Sequence, residues 1–190
     1  MGEIMPTMGP TAMTSLPSEH LNEEDFYGGF AEYLVRELEE CTRAISIGES
    51  RSGGGKWTNP DVMGVYESAL TDIIREEPVI VSGELKTATE EAKLMEGFAQ
   101  ACAYRLFTHK AYLAIPINSR PEAKGRIESL CQLFGIGLIL FDSTKPTDPD
   151  WRISVRAVRG EPDSFYLNEY LKGARDTTDR LFSRTAPPEE

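Results

Sequence analysis

The run Val79-Ile-Val-Ser-Gly-Glu84-Leu-Lys86 constrains the fold most, because a nearly continuous apolar segment ending in Glu-x-Lys reads as a central strand buried on both faces. On a strand, side chains i and i+2 leave from the same face, so Glu84 and Lys86 stand side by side while Leu85 enters the opposite layer. A carboxylate and an ammonium at such a place carry a desolvation penalty unless they are paired, hydrated or bound to a metal. Asp61, in Asn59-Pro60-Asp61-Val62-Met63-Gly64, joins them as a candidate metal-site residue.

With 190 residues and 40% apolar content the chain is expected to build one sizeable core and a single domain. Cys41, Cys102 and Cys131 are far apart and embedded in apolar helical patterns, which argues for reduced core thiols in a cytoplasmic protein. The two histidines, His20 and His109, have no partner at metal-ligand spacing, so a zinc hydrolase or a His-based triad has little support. No apolar run is long enough to span a membrane, and the N-terminus lacks a signal-peptide pattern. The net charge of −11 opposes nonspecific coating of a polyanion. It leaves room for an enzyme acting on nucleic acid, where the local field and divalent metals govern the reacting phosphate.

Along the chain the apolar periods alternate between helical and strand type. Residues 1–22, with Pro6, Pro10 and Pro17, read as a flexible leader, and 183–190 as a flexible tail, leaving one domain over 23–182. Asn22 before three acidic residues predicts a helix start, and Phe26, Phe30, Tyr33, Leu34, Leu38 and Cys41 give an amphipathic helix over 26–42. Strands are expected at 44–47, 57–66, 79–87, 111–116, 137–141 and 151–158. Helices are expected from a capping box at Thr87-Ala-Thr-Glu90 to about Thr108, over 121–134, and over 165–182. The order is α/β, and the β-α-β unit over 111–141 favours parallel pairing. His109, at a helix end, is expected to cap carbonyls.

A metal that assists phosphodiester cleavage needs converging anionic oxygens, an oriented water and a cation near the developing charge. Asp61, Glu84 and Lys86 supply these types, and the Leu85 carbonyl is a further hard oxygen donor. Lys86 either orients or deprotonates a water or stabilises the transition state.

Pro60-Asp61 followed by Glu84-Leu85-Lys86 resembles the signature of the PD-(D/E)xK nuclease superfamily, over roughly residues 26–142. The resemblance implies a restriction-endonuclease-like three-layer sandwich, with a central mixed β-sheet flanked by helices. It further implies a Mg²⁺- or Mn²⁺-dependent deoxyribonuclease of restriction, defence or repair, which acts as a homodimer or with a separate DNA-binding subunit. Gly28-Gly-Phe-Ala-Glu32 looks like the Gly-x-x-x-Glu of resolvase-like and RecB-like members, which adds Glu32 to the metal shell. Gln100-Ala-Cys-Ala-Tyr104 looks like the RecB-like Gln-x-x-x-Tyr, which supports the site or contacts substrate. Gly135 to Asp142 resembles the late strand of prokaryotic members.

Other readings compete. Glu32 lies on an acid-rich helix as either a solvated residue or a ligand, with Glu37 a rival, and Gln100 with Tyr104 could be a surface pair one turn apart. Ser50-Arg-Ser-Gly-Gly-Gly-Lys56 offers Lys56 as a substrate contact or forms a plain connection; it is not a Walker A loop. A catalytically silent nuclease-fold subunit, its acidic surface meeting a basic partner, is the alternative function. A third is an unrelated α/β enzyme that binds phosphate at Gly53, Gly54 and Gly55.

Overall fold

Strands that are apolar on both faces need cover on both faces, and this chain supplies it unequally. The computed structural model describes residues 21–47 and 57–182. Most of the expected leader, the expected tail, and the glycine loop with Lys56 lie outside those residues. In chain order the elements are α1 (Glu24–Arg36), β1 (Arg43–Ser46), β2 (Val62–Tyr66), β3 (Val79–Leu85), α2 (Glu91–Tyr104), β4 (Lys110–Pro116), α3 (Pro121–Phe134), β5 (Gly137–Phe141), β6 (Arg152–Val155), α4 (Ser164–Gly173) and α5 (Arg175–Phe182).

The six strands form one mixed sheet in sequential order. β1, β2 and β3 are antiparallel, β3, β4 and β5 are parallel through the crossover helices α2 and α3, and β6 returns antiparallel. On one face Phe26, Phe30 and Leu34 of α1 pack on Val81, Leu85, Tyr112 and Phe141. On the other, Leu94 and Ala101 of α2 and Ile127 and Cys131 of α3 pack on Leu113, Ile115 and Leu138, while Tyr170 and Leu181 of α4 and α5 cover Met63, Val65 and Ile80. Each fully buried aliphatic or aromatic side chain contributes about 1.5–3 kcal/mol, so this two-sided cover is what holds the polar ends of β3 in place. The result is an α/β sandwich of three layers, and the three cysteines are free. Among the described residues no helix is long and apolar enough to cross a membrane.

Several boundaries differ from the expected ones, each for a local reason. The first helix ends at Arg36 rather than at residue 42, and Leu38 and Cys41 stay buried because a tight turn bonds their N–H groups back to the Tyr33 and Leu34 carbonyls. The strand expected over 57–66 begins only at Val62. Extending the β2–β3 register places Pro60 across from Leu85, and proline has no N–H for the ladder. The capping box at Thr87 does not form. The Thr87 N–H goes to the Glu23 carboxylate at 3.2 Å, and α2 starts after Glu90 with no side-chain cap. β6 carries a register irregularity at Leu138 and Ile139, so Ile153 and Val155 pair with consecutive residues and the expected one-face alternation breaks. The last helix is two, parted at Ala174, where the Thr178 hydroxyl donates to the Leu171 carbonyl at 2.8 Å. His109 does not cap carbonyls: its Nδ1 accepts the Ile80 N–H at 3.0 Å, and burial holds its pKa below the ordinary value.

Candidate metal centre

At the end of the sheet where β2 begins and β3 finishes, two antiparallel neighbours bring Asp61 and Glu84 together. Past Val62 the ladder stops, which leaves the Leu85 N–H to find another acceptor; the Asp61 carboxylate takes it at 2.8 Å. The Asp61 carbonyl accepts the Ile47 N–H at 2.9 Å, so the residue is tied on both sides. The proline ends the pairing and the aspartate accepts the donor thereby released.

Glu84 is 1% exposed, on the sheet face that meets α2. One oxygen accepts from the Lys86 ammonium at 2.7 Å, as the period of two requires, and the other accepts from the Tyr104 hydroxyl, also at 2.7 Å. Gln100, one turn earlier on α2, donates in turn to that hydroxyl. Both residues are buried, so the surface-pair reading is set aside. Lys86 also lies 3.7 Å from Glu23, at the start of α1. Its stem passes over Gly97 of α2, where an added Cβ would come within 2.8 Å of Lys86 Cγ and 2.9 Å of a Leu113 methyl. Leu85 itself packs into the α1 layer, opposite Glu84 and Lys86.

The electrostatics follow from one ammonium among several carboxylates. Burial, then the charge of Asp61, push the Glu84 pKa up to about 8 against the pull of Lys86. Burial lifts Asp61 to about 6, although the Leu85 N–H and the Tyr27 hydroxyl hydrogen-bond to its ionised form. Burial works against the charge of Lys86, but Glu84, Glu23 and Asp61 together hold its pKa above the ordinary value. Burial, followed by the charge of Asp61 for Tyr27 and of Glu84 for Tyr104, keeps both phenols protonated as donors.

Glu32 is not part of this arrangement. It lies on the outer face of α1, 61% exposed and paired with Arg36 at 3.0 Å, because Phe26, Phe30 and Leu34 turn the opposite face inward. Glu37 is exposed as well. The α1 residues that reach the site are Glu23 and Tyr27, which the sequence reading missed. With Phe30 they fall at the i, i+4, i+7 spacing of one helix face, and that was the available signal. Lys56 and its glycine loop lie outside the described residues.

Among the described residues no group of three or more His, Cys, Asp or Glu side chains converges as a metal cage. Two carboxylates that oppose each other's ionisation nevertheless form a hard oxygen donor set that a divalent cation would relieve. No protein-family model matches the chain, and no curated protein matches it.

Proposed function

We propose that the chain is a Mg²⁺- or Mn²⁺-dependent nuclease that hydrolyses phosphodiester bonds in DNA, in the cytoplasm, with a restriction-endonuclease-like fold. The observation that carries this reading is the meeting of Asp61, Glu84 and Lys86 at one sheet end, with both carboxyls held above their ordinary range. The sheet order, antiparallel through β1–β3 and parallel into β4, supports it. Asp61 and Glu84, with the Leu85 carbonyl, would hold the cation. When bound, such an ion polarises a phosphoryl oxygen and lowers the pKa of a water.

The protein's own groups divide the remaining work. Lys86, 2.7 Å from Glu84 and with its charged form favoured by Glu84, Glu23 and Asp61, is placed to donate to the charge that builds on the phosphoryl group. Tyr104, with Gln100 behind it, fixes one Glu84 oxygen, and Tyr27 with the Leu85 N–H fixes Asp61. A homodimer or a separate DNA-binding subunit supplies the affinity that a chain of charge −11 lacks.

One observation favours the catalytically silent reading. Both Glu84 oxygens are already bonded within the protein, so the site is self-satisfied without a cation. Cleavage of linear, circular and single-stranded DNA with Mg²⁺ or Mn²⁺, by folded wild type, Asp61→Asn and Lys86→Met, separates the two. Cleavage by wild type that both variants lose supports the nuclease. A wild type inert on every substrate supports the silent subunit.

A further inference from the structure

The sheet end opposite the Asp61–Glu84 site carries an exposed aliphatic loop beside an acidic cleft. In segment 67–78, between β2 and β3, Leu70 is 67% exposed, Ile74 82%, and Ile73 fully. Three large aliphatic side chains so close together form a patch, unlike a singly scattered surface residue. The loop holds them outward through its own bonds. The Asp72 carboxylate accepts the Ala69 N–H at 2.7 Å, the Ser68 hydroxyl accepts the Glu76 N–H at 3.0 Å, and the Arg75 guanidinium reaches the Leu70 carbonyl. Glu76 pairs with Arg159 at 3.0 Å, and both line the cleft. Much of the ordering needed to present the patch is thus complete before any partner arrives.

The cleft, about 350 Å³, counts Glu39, Glu40, Asp72, Glu76, Lys110 and Arg159 among its lining residues, together with Ile74 of the loop. Lys110 pairs with Glu40, which Arg156 also reaches, and Arg159 pairs with Glu76, whereas among the described residues Glu39 and Asp72 form no ion pair. Glu39 is held there at φ 56°, a conformation that side-chain-bearing residues rarely adopt.

We propose that this surface docks a basic segment of a partner protein, whose aliphatic residues cover Ile73 and Ile74 while a lysine or arginine enters the cleft lined by Glu39 and Asp72. At this face charge complementarity selects such a partner over the same face of a second copy, where Glu39 and Asp72 would meet their own like charges. The proposal does not depend on cleavage, since the surface lies at the far end of the sheet and its test reads binding alone.

The test titrates the ¹⁵N-labelled full chain with two synthetic peptides of equal leucine content, one interleaved with arginine and the other with glutamate. The arginine peptide is expected to bind, shifting amides in 67–78 and at Glu39, Lys110 and Arg159 while those around Glu84 stay still. Its affinity should drop by about tenfold or more in Ile73→Ser/Ile74→Ser, whose replaced side chains are solvent-exposed, and in Glu39→Lys. Three results would overturn the proposal: no binding of the arginine peptide, equal binding of the glutamate peptide, or no response to the variants. A concentration-dependent dimer abolished by Ile73→Ser/Ile74→Ser would also overturn it, by assigning the surface to a second copy.

Discussion

Two buried carboxylate–lysine pairs sit at opposite ends of the same sheet, and they differ in the company they keep. At one end Glu40 meets Lys110 at 2.5 Å and Arg156 at 3.1 Å, so one carboxylate is shared by two cations. At the other, Lys86 is 2.7 Å from Glu84 and 3.7 Å from Glu23, with Asp61 adding its charge, so one ammonium is shared by three carboxylates. The first arrangement has cations in excess of its one carboxylate and ties the turn after α1 to β4 and to the chain after β6. The second crowds carboxyls of raised pKa around a single ammonium, a strain on their ionisation that a bound cation would relieve. The location of an ion pair therefore says less about its role than the balance of charge around it.

The sharpest way to break this contrast is to neutralise one carboxylate at each end. Asp61→Asn or Glu84→Gln should lower metal-dependent DNA cleavage by on the order of 10³-fold with the fold retained, read from initial rates alongside circular dichroism. Glu40→Ala should instead cost about 3 kcal/mol of stability, because it strands Lys110, and it should leave the cleavage rate per folded molecule unchanged. Denaturant midpoints and rates on the same samples check both halves.

Smaller changes sharpen the picture at the Asp61–Glu84 end. Gly97→Ala pushes a methyl into the Lys86 stem and the Leu113 side chain, and should cost about 1–2 kcal/mol in stability and slow cleavage by displacing the ammonium. Glu32→Ala should change stability by less than about 0.5 kcal/mol and leave Mn²⁺ affinity untouched, since both it and its partner Arg36 are exposed. A loss of metal affinity in that variant would return Glu32 to the site.

The parts of the site governed by short-range periodicity were legible in the sequence. Glu84 and Lys86 share a face because a strand repeats every two residues, and Gln100 and Tyr104 share one because a helix turn brings i and i+4 together. Contacts set by tertiary packing were harder to read. The Gly-x-x-x-Glu spacing selected Glu32, but the rotation of α1 on the sheet is fixed by Phe26, Phe30 and Leu34, and that rotation brings Glu23 and Tyr27 to Lys86 and Asp61. Thr87 failed as a cap because Glu23, remote in sequence, claimed its N–H. The helix expected over 165–182 kept one apolar pattern while bending at Ala174, since both halves bury side chains in the same cluster. Element types follow from local pattern; the faces they present are decided by distant partners.

The central claim is that the crowded carboxylates form a cation site whose protons a metal displaces. In the folded chain burial pushes the Asp61 pKa up to about 6 and, with the charge of Asp61, the Glu84 pKa up to about 8. Between the unfolded values and about pH 8 the folded state therefore binds more protons than the unfolded state, and their contribution to stability falls as pH rises through that window. Ionised ligands are what a cation needs, so its affinity must run the other way. The direct measurement is calorimetric titration of Mn²⁺ into wild type and Glu84→Gln at pH 6 and pH 8. The account predicts wild-type affinity at least about tenfold higher at pH 8, with proton release on binding, and a loss of both in Glu84→Gln. Binding that ignores pH and survives Glu84→Gln would contradict it.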